Sequence, residues 1–411
     1  MFYTDTLNFF EDRKLDFIFL SLIKIFIENG ANLHTFEFIH SVYIYDETLN
    51  SSFQLILKNS KFIYNIKNLR ICFRELNSTY SLILKCFYLN CNSISSLYIN
   101  SSCCKKQEKQ VDLSKIIDSQ KNLQRISFNS DGHLKILTNS NYLNTLKIII
   151  FYQVHLININ FNEVFEQSNV LESIHILYCY NLNSTIIIQQ IFNLTKPKFK
   201  LKSLFVEQGS LLQIELFELL LQKSGNYLEN IGFESLIDHG VKLQLFKLIK
   251  TYFVKIKFLE IFEFDLRSIF AGIDLIKNIQ QNLNYPSIKC SEFKNKQKAY
   301  DMKLSSIILQ NLGQILPYRL EYLSLALKFN IYDLKTFFNN SQNIFIKKLI
   351  IKNKLYPDCE NILPCIKEYI MKEKRVSYLA MENAHTTKKR EDLFELKDEV
   401  KEFKFYGIQA Q

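Results

Sequence analysis

Four cysteines in the first third of the chain are the residues whose spacing could most readily indicate a metal site. They are Cys86, Cys91, Cys103 and Cys104, with His133 downstream. Thiolate and imidazole groups are the usual ligands of zinc, but this spacing matches no zinc pattern. The adjacent Cys103 and Cys104 cannot easily both ligate a tetrahedral ion. We therefore interpret these residues as core or surface thiols, and we expect no metal and no other cofactor.

Catalytic and nucleotide-binding motifs are also missing from the sequence. It contains no G-x-S-x-G nucleophile elbow, no G-x-G-x-x-G, no P-loop and no H-E-x-x-H. Cys359 and Cys365 are too far apart for a C-x-x-C redox pair. A cysteine-dependent enzyme would need a thiol activated by a neighbouring histidine, and the sequence offers no such arrangement. We predict that the protein is not an enzyme.

The clearest pattern in the sequence is structural, and it is typified by residues 170–182, VLESIHILYCYNL. Leu171, Ile174, Ile176 and Cys179 follow the L-x-x-L-x-L-x-x-C spacing of a leucine-rich repeat. Because Ile174 and Ile176 alternate with His175, the spacing predicts a strand that buries both isoleucines and turns His175 outward. A single repeat of this kind cannot bury its own apolar face, so copies of it must stack.

Further copies occur along the whole chain, at intervals of 20 to 37 residues. The first anchors are Leu33, Ile66, Ile94, Leu123, Leu143, Leu171, Leu201, Leu228, Ile256, Leu283, Leu320, Ile346, Val376 and Val400. Helix-like segments separate the predicted strands, which implies a parallel sheet. The fold class predicted is therefore an α/β leucine-rich-repeat solenoid, a horseshoe with a parallel sheet on its concave face and helices on its convex face.

The same pattern predicts the domain organisation. Residues 1–30 form a helical N-terminal cap, and residues 31–411 form the solenoid. Pro286 stands at the second anchor of its repeat, where its missing N–H breaks the ladder locally. The lysine-rich stretch 289–303 follows and reads as an exposed insertion, so we expect a bend or a division near 283–303.

The residues between the inward-facing anchors should project from the concave wall, where solenoids usually bind their partners. The middle of the wall combines acidic and aromatic side chains, which is typical of partner-binding patches. The predicted partner-binding residues are Lys147, His175, Phe205, Glu207, Glu234, Glu260 and Phe262. An alternative for the two phenylalanines is that neighbouring strands cover them.

Composition and charge limit the classes of function. Apolar residues make up 47% of the chain and charged residues 22%, as in ordered soluble proteins. The formal charge of +10 is spread over the repeats, so a nucleic-acid-binding solenoid remains an alternative only if cations gather on the concave wall. The apolar run 17–27 is too short for the ~20 residues of a membrane span. We expect a cytoplasmic protein with reduced thiols, and Lys388, Lys389 and Arg390 also permit nuclear import.

Six segments make the chain resemble a fungal family of F-box-type leucine-rich-repeat proteins. They are residues 24–38, 170–182, 199–211, 219–235, 305–327 and 396–407. The resemblance implies a substrate receptor of a cullin ubiquitin ligase, in which an F-box binds the ligase adaptor and the repeats bind the substrate. Residues 1–30 depart from that pattern, because they lack an L-P-x-x-x-L-x-x-I-F helix start. Two functions therefore stand: an F-box-like receptor, or a shortened, repeat-only relative or scaffold that binds a protein partner without the ligase.

Overall fold

The structure is a computed structural model of the chain, and it divides into two compact units, residues 1–200 and residues 201–411. The structure describes residues 12–39, 46–73, 78–101, 110–129, 134, 137, 143–181, 184–194, 200–208, 214–224, 227–235, 239–253, 255–262, 264–290, 298–354, 362–371, 375–383, 391–392 and 409–410. Among these residues, no helix is both long and apolar enough to cross a membrane.

In the first unit, six parallel strands follow one another in chain order. The strands are β1 Thr35–Ile39, β2 Asn68–Phe73, β3 Ser96–Ser101, β4 Arg125–Asn129, β5 Ile148–Tyr152 and β6 Ser173–Leu177. The helices are α1 Asp12–Glu28, α2 Asp46–Lys58, α3 Ser78–Asn90, α4 Gln110–Asp118, α5 Phe161–Gln167 and α6 Thr185–Phe192. Short 3₁₀ turns occupy Ser60–Phe62 and Leu156–Asn158.

The second unit has seven parallel strands in chain order and two short additions. The strands are β7 Ser203–Gln208, β8 Asn230–Ser235, β9 Phe258–Phe262, β10 Tyr285–Lys289, β11 Arg319–Leu327, β12 Phe345–Asn353 and β13 Val376–Asn383. The helices are α7 Ile214–Ser224, α8 His239–Tyr252, α9 Ile269–Ile279, α10 Lys298–Ile315, α11 Ile331–Asn340 and α12 Leu363–Ile366, which continues as a π-helical turn, Lys367–Met371. The additions are β14 Glu391–Asp392, antiparallel to β13, and β15 Gln409–Ala410, parallel to it.

The strand positions confirm the predicted α/β class, the parallel pairing and most of the repeat pattern. If the first anchor is position 1, the strands β2 to β13 bury positions 4 and 6, as Leu69 and Ile71 do in β2 or Leu323 and Leu325 in β11. In β1, Phe38 at position 6 is buried and Phe36 at position 4 is partly exposed. The anchor Val400 lies outside the described residues. The leucine-rich-repeat identity and the horseshoe shape stay predictions.

A regular pair of hydrogen bonds joins successive repeats at the strand starts from β1 to β6 and from β7 to β10. The carbonyl of position 2 accepts the N–H groups of positions 2 and 3 of the next repeat. In the first unit, the His34 carbonyl accepts from Lys67 and Asn68 at 2.8 and 3.1 Å, and the Lys67 carbonyl accepts from Ser95 and Ser96. The second unit repeats this at the carbonyls of Lys202, Glu229 and Lys257. These bonds fix the register of each strand on its neighbour.

The register corrects one predicted repeat. Ile149 pairs with Ile126 and Phe151 pairs with Phe128, so the first anchor of β5 is Leu146 and the predicted Leu143 is wrong. Leu143 and Leu146 are both fully buried, and the run of isoleucines after Leu146 fits the anchor spacing counted from either of them. The correction also replaces the irregular 20-residue interval by one of 23 residues, from Leu123 to Leu146.

The core of each unit lies between one face of the strands and the helices. Rings from the two layers meet there: Phe38 of β1 contacts Phe53 of α2 at 5.7 Å between centroids, and Phe233 of β8 contacts Phe246 of α8 at 6.0 Å. The start of α11 is stabilised by a local side-chain motif. Asn330 and Asp333 form a reciprocal capping box that begins the helix and satisfies amides otherwise left unpaired.

The structure bears on three predictions about the organisation of the chain: the N-terminal cap, the insertion and the bend. The predicted cap at 1–30 contains α1, which packs on α2. The predicted insertion 289–303 is partly helical, because α10 begins at Lys298, while residues 291–297 lie outside the described residues. The β10–β11 ladder begins at Ser287, directly after Pro286. The compact units divide at residue 200, and the bend expected near 283–303 stays a prediction.

Candidate binding surface

Side chains at positions 3, 5 and 7 of each strand lie on the face opposite the core, which we call the open face. In β6, Ile174 and Ile176 are buried, whereas His175 and Leu177 on the other face are partly exposed. The parallel register aligns equal positions of neighbouring strands, so each position forms a row across its unit. The rows of the two units are described separately.

Lys147 was predicted to lie on the open face of β5, but the observed register places it one residue before that strand. It stands at position 2, one residue before β5, where its carbonyl accepts hydrogen bonds from Glu172 and Ser173 at 2.8 and 2.9 Å. Its side chain is exposed. The open-face residue at position 5 of β5 is Ile150, which pairs with His175.

His175 occupies the predicted open-face position of β6, but it is partly buried. Its Nε2 lies 2.9 Å from the hydroxyl oxygen of Ser173. Burial and, secondarily, the positive charge of Arg125 lower the pKa of His175 to about 4. The ring is therefore neutral at neutral pH and acts as a hydrogen-bonding group in the surface.

In the second unit, the Phe205 ring of β7 lies against the backbone of the neighbouring strand, which has a glycine there. A Cβ at Gly232 of β8 would stand 2.6 Å from Cδ1 of Phe205. The Phe205 ring meets that of Phe258 in β9 edge-on, with 5.6 Å between centroids. Phe205 is thus partly exposed and partly covered by the next two strands, as the sequence analysis left open.

The predicted acidic patch is partly neutralised. Glu260 of β9 forms an ion pair with Lys289 of β10 at 2.5 Å and accepts a hydrogen bond from the Ser287 hydroxyl at 3.2 Å. Glu207 is partly exposed, and its backbone is in register with Glu234. The side chains of Glu234 and Phe262 lie outside the described residues. Sequence reasoning missed Lys289 because it passed over the open-face positions of the repeat interrupted by Pro286.

A row of aromatic side chains at position 3 was also missed, since only positions 5 and 7 were considered. The aromatic row consists of Phe258, Tyr285, Tyr322 and Tyr378. Lys348, between the last two, lies 5.8 Å from the Tyr378 ring centroid. On three of these strands position 5 carries a small residue: Ser287, Ser324 and Ala380. The rings therefore project beyond their neighbours in the next row.

In the first unit, a cavity of about 310 Å³ opens on β1 to β4. Arg70 lies at its side, 2.9 Å from the Glu37 carboxylate and 4.6 Å from the Tyr98 ring centroid. Burial acts to lower the pKa of Arg70, but Glu37, Cys72 and Tyr98 raise it, and the net shift is upward. Burial raises the pKa of Cys72, an effect that Arg70 only partly offsets, so this thiol is protonated at neutral pH.

The cysteines singled out for zinc chemistry are placed only in part. Cys86 and Cys91 are core residues, and burial raises the pKa of each thiol to about 12. Cys103, Cys104 and His133 lie outside the described residues. Within the described part of the chain, no three His, Cys, Asp or Glu residues form a group that could hold a metal ion.

Comparisons with known proteins add no family to this picture. A scan against protein-family models finds no match to the chain, and a search of curated proteins finds none either.

Proposed function

We propose that this chain is a leucine-rich-repeat protein that recognises a protein partner through the open face of its strands and catalyses no reaction. The observation that carries the proposal is the aromatic row of the second unit. Tyrosine and phenylalanine bury a large area at little entropic cost and are enriched at the centres of protein interfaces. Small residues beside them give a partner access to the rings.

The ion pairing of two lysines on the open face of the second unit favours a protein partner over a nucleic acid. Nucleic-acid surfaces need cations that are free to neutralise phosphates. On this open face, Lys289 is paired with Glu260, and Lys352 is paired with Glu382 at 2.7 Å. The two cations therefore contribute little net positive charge to the surface.

The resemblance to F-box-type leucine-rich-repeat proteins suggests the biological role. On that basis we propose a substrate receptor of a cullin ubiquitin ligase, acting in the cytoplasm or nucleus. Binding of the purified full chain to the purified ligase adaptor tests this role directly. If the chain did not bind the adaptor, the ligase role would be rejected and the chain would be a recognition module that is not coupled to a ligase.

The recognition proposal is tested by proximity labelling with the tagged full chain in cells. We expect the double variant Tyr285→Ala/Tyr322→Ala to label the partners of the unmodified chain at least tenfold less strongly. Tyr332 is 71% exposed on α11, so Tyr332→Ala is the matched control and should label the same partners as the unmodified chain. Equal labelling by the double variant, with its fold intact by circular dichroism, would contradict the proposal.

A further inference from the structure

The cavity of the first unit is built from two rows of the open face. Apart from Leu69, its lining comes from positions 3 and 5 of β1 to β4, which the register places side by side. Ser96 pairs with Arg125, and Tyr98 pairs with Ser127. These four residues therefore form one half of the cavity, and β1 and β2 supply the other half.

The half supplied by β1 and β2 satisfies its own polar groups. Arg70 is held by the Glu37 carboxylate and lies over the Tyr98 ring. The Asn68 amide donates to the Thr35 hydroxyl at 3.2 Å. In this half, the charge of Glu37 offsets that of Arg70.

The half supplied by β3 and β4 leaves donors unused. Within the described part of the chain, the guanidinium of Arg125 has no carboxylate within 4.0 Å, and the hydroxyls of Ser96 and Ser127 make no hydrogen bond. Ser127 is only 6% exposed. Ser127 lines the cavity, so its hydroxyl can donate a hydrogen bond to a group that binds there.

The charge and geometry of these donors select the chemistry of that group. Arg125 gives the cavity one uncompensated positive charge, and it is exposed at the rim. A guanidinium presents two parallel N–H donors that match the oxygens of a carboxylate or a phosphate. The two serine hydroxyls supply further donors for the remaining oxygens.

We propose that this cavity binds the oxyanion of an acidic peptide side chain, a carboxylate or a phosphate monoester, with Arg125 and Ser127 as its principal donors. The inference rests on the proposed function, because the peptide belongs to a protein partner. It concerns a different surface from the aromatic row, so each can fail without the other.

The test is a titration of the full chain with three short peptides that differ only at their central residue. That residue is phosphoserine, glutamate or serine, and nuclear magnetic resonance signals of the peptide report the dissociation constant. We expect at least one anionic peptide to bind five times more tightly than the serine peptide, and the stronger of the two identifies the oxyanion. Equal affinities for all three peptides would overturn the assignment.

Two variants locate the binding. Arg125→Gln should abolish the preference for the anionic peptide, and Ser127→Ala, which removes only an unpartnered hydroxyl, should weaken it severalfold without loss of stability. Arg319→Gln is the matched control, because Arg319 is an exposed arginine of the second unit, above the Phe345 ring. An unchanged preference in Arg125→Gln would reject this cavity, while a loss of labelling in Tyr285→Ala/Tyr322→Ala would still uphold the proposed function.

Discussion

His175 shows how one residue of the open face makes stability depend on pH. The folded chain holds its pKa near 4, whereas an unfolded histidine has a pKa near 6.5. As the pH falls below 6.5, the unfolded chain therefore takes up the proton first, and stability that is present above pH 6.5 is lost progressively down to about pH 4.

We predict that His175→Gln removes this component of the pH dependence. The loss between pH 6.5 and 4 amounts to as much as about 3 kcal/mol, since each pKa unit corresponds to about 1.4 kcal/mol. Urea-unfolding midpoints of the variant should change less over this range than those of the unmodified chain. His34→Gln, at an exposed histidine, is the control and should retain the full pH dependence. If His175→Gln showed the same pH dependence as His34→Gln, the assignment to His175 would be disproved.

Single residues also mark the limit of what the sequence predicts about the binding surface. Alternation placed His175 and Phe205 correctly at position 5 of their strands, because a strand turns every second side chain to the same face. It could not show that Gly232 makes room for the Phe205 ring, or that Lys289 pairs with Glu260. Both facts depend on which strand lies next to which, and on the exact register between them.

At the scale of elements, the helices α10 and α11 are packed through a glycine. A Cβ at Gly313 would stand 2.8 Å from the Phe337 carbonyl oxygen and 2.8 Å from Cβ of Asn340. The obstacle includes backbone, which cannot rotate away as a side-chain tip can. The close approach of the two helices therefore depends on the missing side chain.

We predict that Gly313→Ala lowers the free energy of unfolding by about 1–2 kcal/mol. Alanine favours a helix by up to about 1 kcal/mol over glycine, but overpacking of this kind costs about 1–3 kcal/mol. Gln314→Ala, at the exposed neighbour, is the control and should change stability little. Thermal unfolding measures both variants, and a Gly313→Ala protein more stable than the unmodified chain would show that the helices separate freely.

Most strands could be located from the sequence, and β5 shows why one could not. Residues 143–151 read LNTLKIIIF, which satisfies the anchor spacing from either Leu143 or Leu146. The pairing of β5 with β4 selects the second, and the N–H groups of Lys147 and Ile148, which donate to the Gln124 carbonyl, agree with it. A strand with apolar residues on both faces carries no pattern that separates them, and the misplaced Lys147 followed from that ambiguity.

At the scale of the whole molecule, the net charge of +10 makes weak binding to polyanions expected. We predict that a fluorescent single-stranded RNA binds at 50 mM salt and weakens by roughly tenfold or more at 200 mM, because binding by scattered cations depends on counterion release. Partner recognition through the aromatic row should persist at 200 mM. RNA binding that resisted salt and required Tyr285 and Tyr322 would instead favour a nucleic-acid-binding function.

The paired hydrogen bonds at the strand starts from β1 to β6 and from β7 to β10 constrain chain length in one part of the repeat and leave it free in another. A residue gained or lost between positions 2 and 7 would exchange inner for outer side chains, so length is constrained there. The connecting segments are not bound in this way: the 18-residue α10 lies between β10 and β11, whereas the 7-residue α5 lies between β5 and β6. New binding specificity is therefore open to substitution at a few outward positions on each strand, with no cost to the spacing that holds the stack together.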